Sequence, residues 1–255
     1  MLEIQGLYAG YGGENVLKNV DIFLAAGEIT AILGPNGSGK STLLKTICGI
    51  VPASAGQIRL DGQDLLSLPP KQLARQVSYL TQNRQVPQIT AEQLVLHGRF
   101  PYLGYPRRYR QEDHAAARRA METMGITDLA QTPLEQLSGG QRQKVYIAMV
   151  LAQDTQVVLL DEPTTFLDVG HQLQTLDHAR HLAAAGKTVV MVVHDITQAL
   201  RVAGQVILLS DGTVAGQGTP EELFRAGTLD RVFGVTLCRT KTENGWLYYC
   251  ADRQK

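Results

Sequence analysis

The stretch "GPNGSGKS", Gly34 to Ser41, constrains the fold of this chain more than any other. It satisfies G-x-x-x-x-G-K-[ST] in full, a pattern that works as the turn between a strand and a helix. Both neighbours are present. "EITAIL", Glu28 to Leu33, is short, apolar and partly β-branched and reads as a strand, while "STLLKTICGI", Ser41 to Ile50, reads as a helix. Glycines let successive backbone N–H groups curl around an anion with no Cβ in the way. The helix then points its N-terminus at the same anion. Gly34, Pro35, Asn36, Gly37, Ser38, Gly39, Lys40, Ser41 and Thr42 therefore form a candidate cradle for the phosphates of ATP. Lys40 is spaced to reach the β and γ phosphates, and Ser41 to offer its hydroxyl to Mg2+.

The rest of the chain supplies a sheet for that loop. "QVVLL" (Gln156 to Leu160) and "KTVVMVV" (Lys187 to Val193) are continuous apolar runs, as expected of strands buried on both faces in a parallel sheet. A helix candidate, "GHQLQTLDHARHLAAAG", lies between them and ends at Gly186, a suitable C-cap. Strand–helix–strand order predicts an α/β fold with a mostly parallel sheet. "QVILLSDGTVAGQG" (Gln205 to Gly218) reads as two strands joined at Asp211-Gly212. From about Gln85 to Gln153 the pattern turns helical, with Val145, Ala148, Met149 and Ala152 on one apolar face of the last helix. The tail, "VTLCRTKTENGWLYYC", alternates around Asn244-Gly245 and predicts a hairpin. The expected organisation is one domain. Residues 1–84 and 154–225 form the α/β core, 85–153 a helical insert, and 226–255 a hairpin extension.

Composition narrows the function classes. Lys plus Arg and Asp plus Glu both number 24 in the 255 residues, which argues against a nucleic-acid partner, since such binders carry a basic excess. "VVMVV" is far shorter than the roughly 18 apolar residues of a spanning helix. "MLEIQGLYAG" has neither the basic nor the apolar region of a secretion signal. Cys48, Cys238 and Cys250 show no framework or metal-ligand spacing, so reduced thiols are expected.

A second set of polar residues completes a candidate site. "LLDEP" ends a strand with Asp161, placed to hold Mg2+ through water beside Ser41, and Glu162, the candidate for polarising an attacking water. The bland alternative is a solvated acidic pair. Gly34, Asp161 and His194 each follow an apolar strand, and open α/β sheets bind ligands at that edge. His194 is then a candidate to hydrogen-bond the γ-phosphate and orient the water. Gln82, which ends "VSYLTQ", is a candidate to sense the γ-phosphate through Mg2+ or water. Tyr11 is a candidate for stacking on adenine, with Tyr8 as its rival. In "LSGGQ", Leu137 to Gln141, a plain N-capped helix explains Ser138 but not both glycines. Bare N–H groups at a helix start bind anions, and glycines permit close approach.

In order, these motifs are the phosphate loop, Gln82, "LSGGQ", "LLDEP", "FLD" ending at Asp168, and His194. The set resembles the ATPase subunits of ATP-binding-cassette transporters over nearly the whole chain, and "LSGGQ" is close to diagnostic. The resemblance implies a P-loop NTPase core with a mostly parallel sheet, an N-terminal antiparallel β portion, and a helical insert carrying the signature. It implies a head-to-tail homodimer enclosing two ATP molecules. Ser138, Gly139, Gly140 and Gln141 would contact the γ-phosphate on the other subunit, and Asp168 would lie in a loop at the dimer interface. Glu162, His194 and Gln82 would be catalytic, and Ser41, Gln82 and Asp161 would serve Mg2+. "LVLHGRFPYLG", "AMVLAQDTQVVLLDEPTTFLD" and "QGTPEEL" are similar to the iron-chelate importer branch, which handles ferric citrate, siderophores, haem and cobalamin. The implied partners are integral membrane permease subunits and, indirectly, an extracytoplasmic substrate-binding protein. The implied location is the cytoplasmic face of the cell membrane. Another metal-oxyanion or small-solute importer is the alternative for cargo. A soluble cassette ATPase uncoupled from transport is the alternative for class, but would carry a coiled coil or second cassette.

Overall fold

The computed structural model describes residues 1–82, 86–165, 167–243 and 245–251. Gln85, Phe166 and Asn244, which figure in the expectations above, lie outside the described residues. Strands β1 (Leu2–Tyr11), β2 (Glu14–Leu24) and β3 (Ile29–Leu33) lead to helix α1 (Lys40–Ile47). Next come β4 (Ala53–Leu60), β5 (Gln63–Asp64), α2 (Pro70–Gln76) and β6 (Val77–Leu80). Helices α3 (Ala91–His97), α4 (Gln111–Thr123) and α5 (Gly139–Gln153) precede β7 (Val157–Asp161), α6 (Val169–Ala184) and β8 (Thr188–Val192). The chain continues through α7 (Ile196–Val202), β9 (Gln205–Ser210), β10 (Thr213–Gly218), α8 (Pro220–Arg225) and α9 (Thr228–Phe233). It closes on β11 (Thr236–Thr242) and β12 (Gly245–Ala251). Two compact units result. One joins Met1–Ser67 to Ala179–Lys255; the other is Leu68–His178.

In the first unit, β1 pairs antiparallel with β2 and β4, the antiparallel N-terminal portion that was expected. Elsewhere in it β3 runs parallel to both β8 and β9. Every residue of β3 and β8 is buried, which is why both read as unbroken apolar runs. Ile32 pairs with Val192, so Gly34 and His194, each two residues further on, leave the sheet at the same edge. Between β9 and β10, Asp211 and Gly212 both take positive φ, +50° and +79°, the type I′ geometry that suits a two-residue hairpin.

The C-terminal hairpin forms, but one residue out of the expected register. Thr242 pairs with Gly245, so Gly245 is a strand residue rather than half of the turn. Leu237 and Tyr248 are both buried, and strand register follows the face that must be covered. Helix α9 also falls within 226–255, a stretch read from sequence as hairpin alone. Cys48, Cys238 and Cys250 are free thiols.

In the second unit, β6 and β7 run parallel, with Leu80 opposite Leu160. Helix α5 corrects the reading of a single apolar face. Val145, Ala148 and Ala152 are buried as expected, but Met149 is only half-buried, and Tyr146, Ile147 and Val150 are buried as well. Both α3 and α4 pack on α5, and a helix with neighbours on several sides needs more than one apolar stripe.

Candidate functional site

The phosphate loop leaves no room for a side chain at two of its glycines, Gly34 and Gly39. A Cβ on Gly34 would stand 2.2 Å from the Leu209 carbonyl oxygen and 2.6 Å from Ser38 Oγ. One on Gly39 would stand 2.7 Å from Leu17 Cδ2, and its φ is +99°. Gly39 is the N-cap of α1 and supplies no side-chain cap, so the first-turn N–H groups keep their capacity for an anion. Lys40 folds back over the loop, its Nζ donating to the carbonyls of Gly34 and Pro35, each at 2.8 Å. The Ser38 hydroxyl is buried with no hydrogen-bond partner among the described residues. Leaving such a group unpaired costs about 1–3 kcal/mol, so the loop is built for a ligand rich in oxygen. A nucleotide phosphate fits that donor set.

On the same unit, His194 is exposed just past the end of β8, the strand that pairs with the one leading into the phosphate loop. Tyr11, at the end of β1, is 52% exposed, a position open to a flat ligand, whereas Tyr8 is half-buried.

The second unit gathers Asp161, Glu162 and Gln82 at one edge of the β6–β7 pair. Asp161, the last residue of β7, is buried and accepts a 2.8 Å hydrogen bond from the Tyr79 hydroxyl. Glu162 is also buried and takes φ +51°, a conformation that costs a non-glycine residue about 1–3 kcal/mol. Its Oε2 accepts from Gln82 Nε2 and, at 3.1 Å, from Thr165 Oγ1. Gln82 thus meets Glu162 directly, a pairing the sequence did not announce. Gln143, buried on α5, donates through Nε2 to the Pro163 carbonyl at 2.7 Å and anchors the turn after Glu162. Neither Tyr79 nor Gln143 carries a motif. Only the pairing of β6 with β7 and the burial of α5 reveal them.

The signature divides into roles. Ser138 and Gln141 form a reciprocal capping box: the Gln141 N–H donates to Ser138 Oγ at 3.2 Å, and the Ser138 N–H to Gln141 Oε1 at 3.0 Å. Gly140 is buried, and a Cβ there would stand 2.3 Å from His171 Cδ2 and Nε2. Gly139 has open space where its Cβ would be. So the helix start accounts for the serine and the glutamine, His171 accounts for one glycine, and Gly139 is the one facing outward. Asp168 caps α6, its Oδ1 accepting the His171 N–H at 2.9 Å and its Oδ2 lying 2.8 Å from His171 Nδ1. The backbone and then the ring of His171 hold its carboxyl below the usual carboxylate range.

Comparison with known proteins agrees with these pieces. The family described as ABC transporter matches residues 17–165, a span that includes the phosphate loop, the signature and the Asp161-Glu162 pair. The ferric enterobactin transport ATP-binding protein FepC of Escherichia coli (strain K12) is 42% identical over 231 residues, 90% of this chain and 85% of that protein. The iron(3+)-hydroxamate import ATP-binding protein FhuC of Bacillus subtilis (strain 168) is 40% identical over 236 residues, 92% of this chain and 88% of that protein. A solved ABC transporter assigned to the metal-chelate type, in an inward-facing conformation, superposes with a TM-score of 0.85 at 27% identity, covering 99% of this chain and 98% of that one. With the family matched across most of the chain and its nucleotide loop built for phosphate, the chain belongs to the ABC transporter family, as an ATPase coupled to transport.

Proposed function

We propose that this subunit hydrolyses MgATP to drive import of an iron chelate of the siderophore type through separate permease subunits. The observation that carries the cargo is the 42% identity, over 90% of the chain, to a ferric enterobactin transport ATP-binding protein. Haem and corrinoids remain within the same proposed branch.

The chemistry follows from the residues. Gly34 to Thr42 bind the phosphates through backbone N–H groups, and Lys40 exchanges its two carbonyl partners for β and γ oxygens. Ser41, Gln82 and Asp161 are the residues that would hold Mg2+. When bound, the metal neutralises charge on the transferring phosphoryl group. Glu162 polarises the attacking water, and His194 hydrogen-bonds the γ-phosphate and orients that water. Gln82 donates to Glu162 and so is placed to orient that carboxylate. Tyr11 stacks on adenine.

Two copies pair head to tail, and Ser138, Gly139, Gly140 and Gln141 of one face the γ-phosphate of the other, with Asp168 at the interface. The open space at Gly139 supports that reading. In this scheme 1–84 and 154–225 serve as the catalytic core, 85–153 as the helical piece carrying the signature, and 226–255 as an extension. Among the described residues no helix is long and apolar enough to cross a membrane, so the subunit reaches the cytoplasmic face of the membrane through its permease. A substrate-binding protein on the far side delivers cargo. A groove of about 330 Å³ in the second unit suits a cytoplasmic segment of that permease. Pro70, Ala74, Phe100, Pro101 and Leu103 give it apolar walls, and Lys71 and Arg107 give it positive charge.

The test is deletion of the gene followed by uptake of radiolabelled ferric siderophore, haem, cobalamin, a sugar and an amino acid. Loss of ferric siderophore uptake is expected. A defect confined to sugar or amino acid would overturn the cargo.

A further inference from the structure

We infer that His171 is a positioning residue that locks the start of the signature helix to the loop leaving the catalytic glutamate. The inference deepens the proposed dimeric ATPase and rests on that reading. One imidazole makes both contacts. Its Nδ1 lies 2.8 Å from Asp168 Oδ2, and the backbone N–H of the same residue donates to Asp168 Oδ1 at 2.9 Å. The opposite edge of the ring abuts α5: a Cβ on Gly140 would stand 2.3 Å from both Cδ2 and Nε2 and 2.8 Å from Cε1. The His171 carbonyl accepts the Thr175 hydroxyl at 2.9 Å, which fixes the first turn of α6 around the ring.

A glycine in the first turn of a helix weakens that helix, so its presence at Gly140 calls for a reason. Within the subunit the imidazole supplies one, because any larger residue would meet a ring paired on its other edge with Asp168. The ring is partly exposed, and it is the pairing with Asp168 at 2.8 Å that holds it against Gly140. Through that ring the first turn of α5 is tied to the Asp168 loop. In the dimer, the first turn of α5 faces the partner's nucleotide, while Asp168 follows Glu162, which acts on the subunit's own. His171 thereby relays occupancy of one site to hydrolysis at the other.

The experiment is a double-mutant cycle on the full chain: Gly140→Ala, His171→Ala, the two combined, and His171→Asn. Steady-state kcat, KM and the Hill coefficient for ATP are measured, with urea denaturation alongside. Gly140→Ala should lower kcat, and adding His171→Ala should recover it by about tenfold, since contacting residues couple by that order. His171→Ala alone should bring the Hill coefficient towards about 1, the mark of a lost coupling. His171→Asn, which offers an amide N–H to Asp168 but leaves Gly140 uncovered, should keep the wild-type urea midpoint yet share the lost cooperativity. A double variant no better than Gly140→Ala, or an unchanged Hill coefficient in His171→Ala, would overturn the inference. Failure of the dimer reading shows separately, as a Glu162→Gln chain that stays monomeric with ATP in light scattering. In that event the recovery of urea stability in the double variant still tests the contact, and its absence would refute it.

Discussion

At Glu162 the backbone takes φ +51° and the side chain is buried, with Gln82 and Thr165 both donating to one carboxylate oxygen. A residue held this way is prepared to act on something other than its present partners. Glu162→Gln keeps the shape and removes the charge that, in the proposed mechanism, polarises water. It should leave ATP affinity intact and lower turnover by about 10²–10⁴-fold, the range for general acid–base groups. Equilibrium binding of a fluorescent ATP analogue, measured beside steady-state hydrolysis, checks both halves. Lys40→Ala acts on the other quantity. Its ammonium spans two carbonyls of its own loop, and in the proposed mechanism it binds phosphate oxygens instead. Charge-assisted bonds to an anion are among the stronger ones, so the same binding assay should show weakened affinity. Unchanged binding would mean that the loop does not hold phosphate through this lysine.

Helix α5 shows what an element contributes beyond its residues. Its first turn is closed by the Ser138–Gln141 capping box, its body is buried among α3 and α4, and Gln143 ties it to the turn after Glu162. Ser138→Ala removes one half of the box and should cost about 1 kcal/mol, read as a lower urea midpoint. A hydroxyl that also meets the partner's nucleotide should lower turnover at saturating ATP further than the folded fraction explains. The groove has a comparable logic. Lys71 donates to the Leu103 carbonyl, and Arg75 Nε to the Pro101 carbonyl at 3.0 Å. Arg99 lies 3.7 Å above the Tyr102 ring. Cations of α2 and its neighbour thus pin the wall that Phe100, Pro101 and Leu103 build. Ala74→Glu puts a charge into an apolar floor, which is costly to bury. Co-purification of the variant with its permease should fall well below wild type, and full recovery of the complex would remove the groove from the docking site.

For the whole molecule the decisive question is whether the signature serves its own chain or a neighbour. A two-fold dimer places the same patch of each chain on both sides of the interface. Chains with Lys40→Ala and chains with Gly139→Asp should each be inactive alone, the second because its carboxylate repels the γ-phosphate. A mixed dimer has one site with both defects and one with neither. Mixing should therefore restore hydrolysis, or at least tight retention of ATP. Verified mixed dimers that show neither would count heavily against the trans arrangement.

Much of this protein is legible along the chain because its chemistry is local. The phosphate loop needs glycines, a lysine and a serine at set spacing, since backbone curvature and phosphate size leave little choice. Buried parallel strands announce themselves as apolar runs because both their faces are covered, and Asp161, Glu162 and His194 follow such runs directly. What depends on residues distant in sequence was not legible. Tyr79 reaches Asp161 across 82 positions and Gln82 reaches Glu162 across 80, contacts made only when β6 lies beside β7. The second glycine of the signature looked like room for a ligand until packing put His171 against it. The burial of α5 on several faces and the one-residue shift of the last hairpin were likewise settled by neighbours. Spacing along a chain encodes what one turn of backbone can hold, but which side chains share a surface is set by packing, and only the folded molecule decides that.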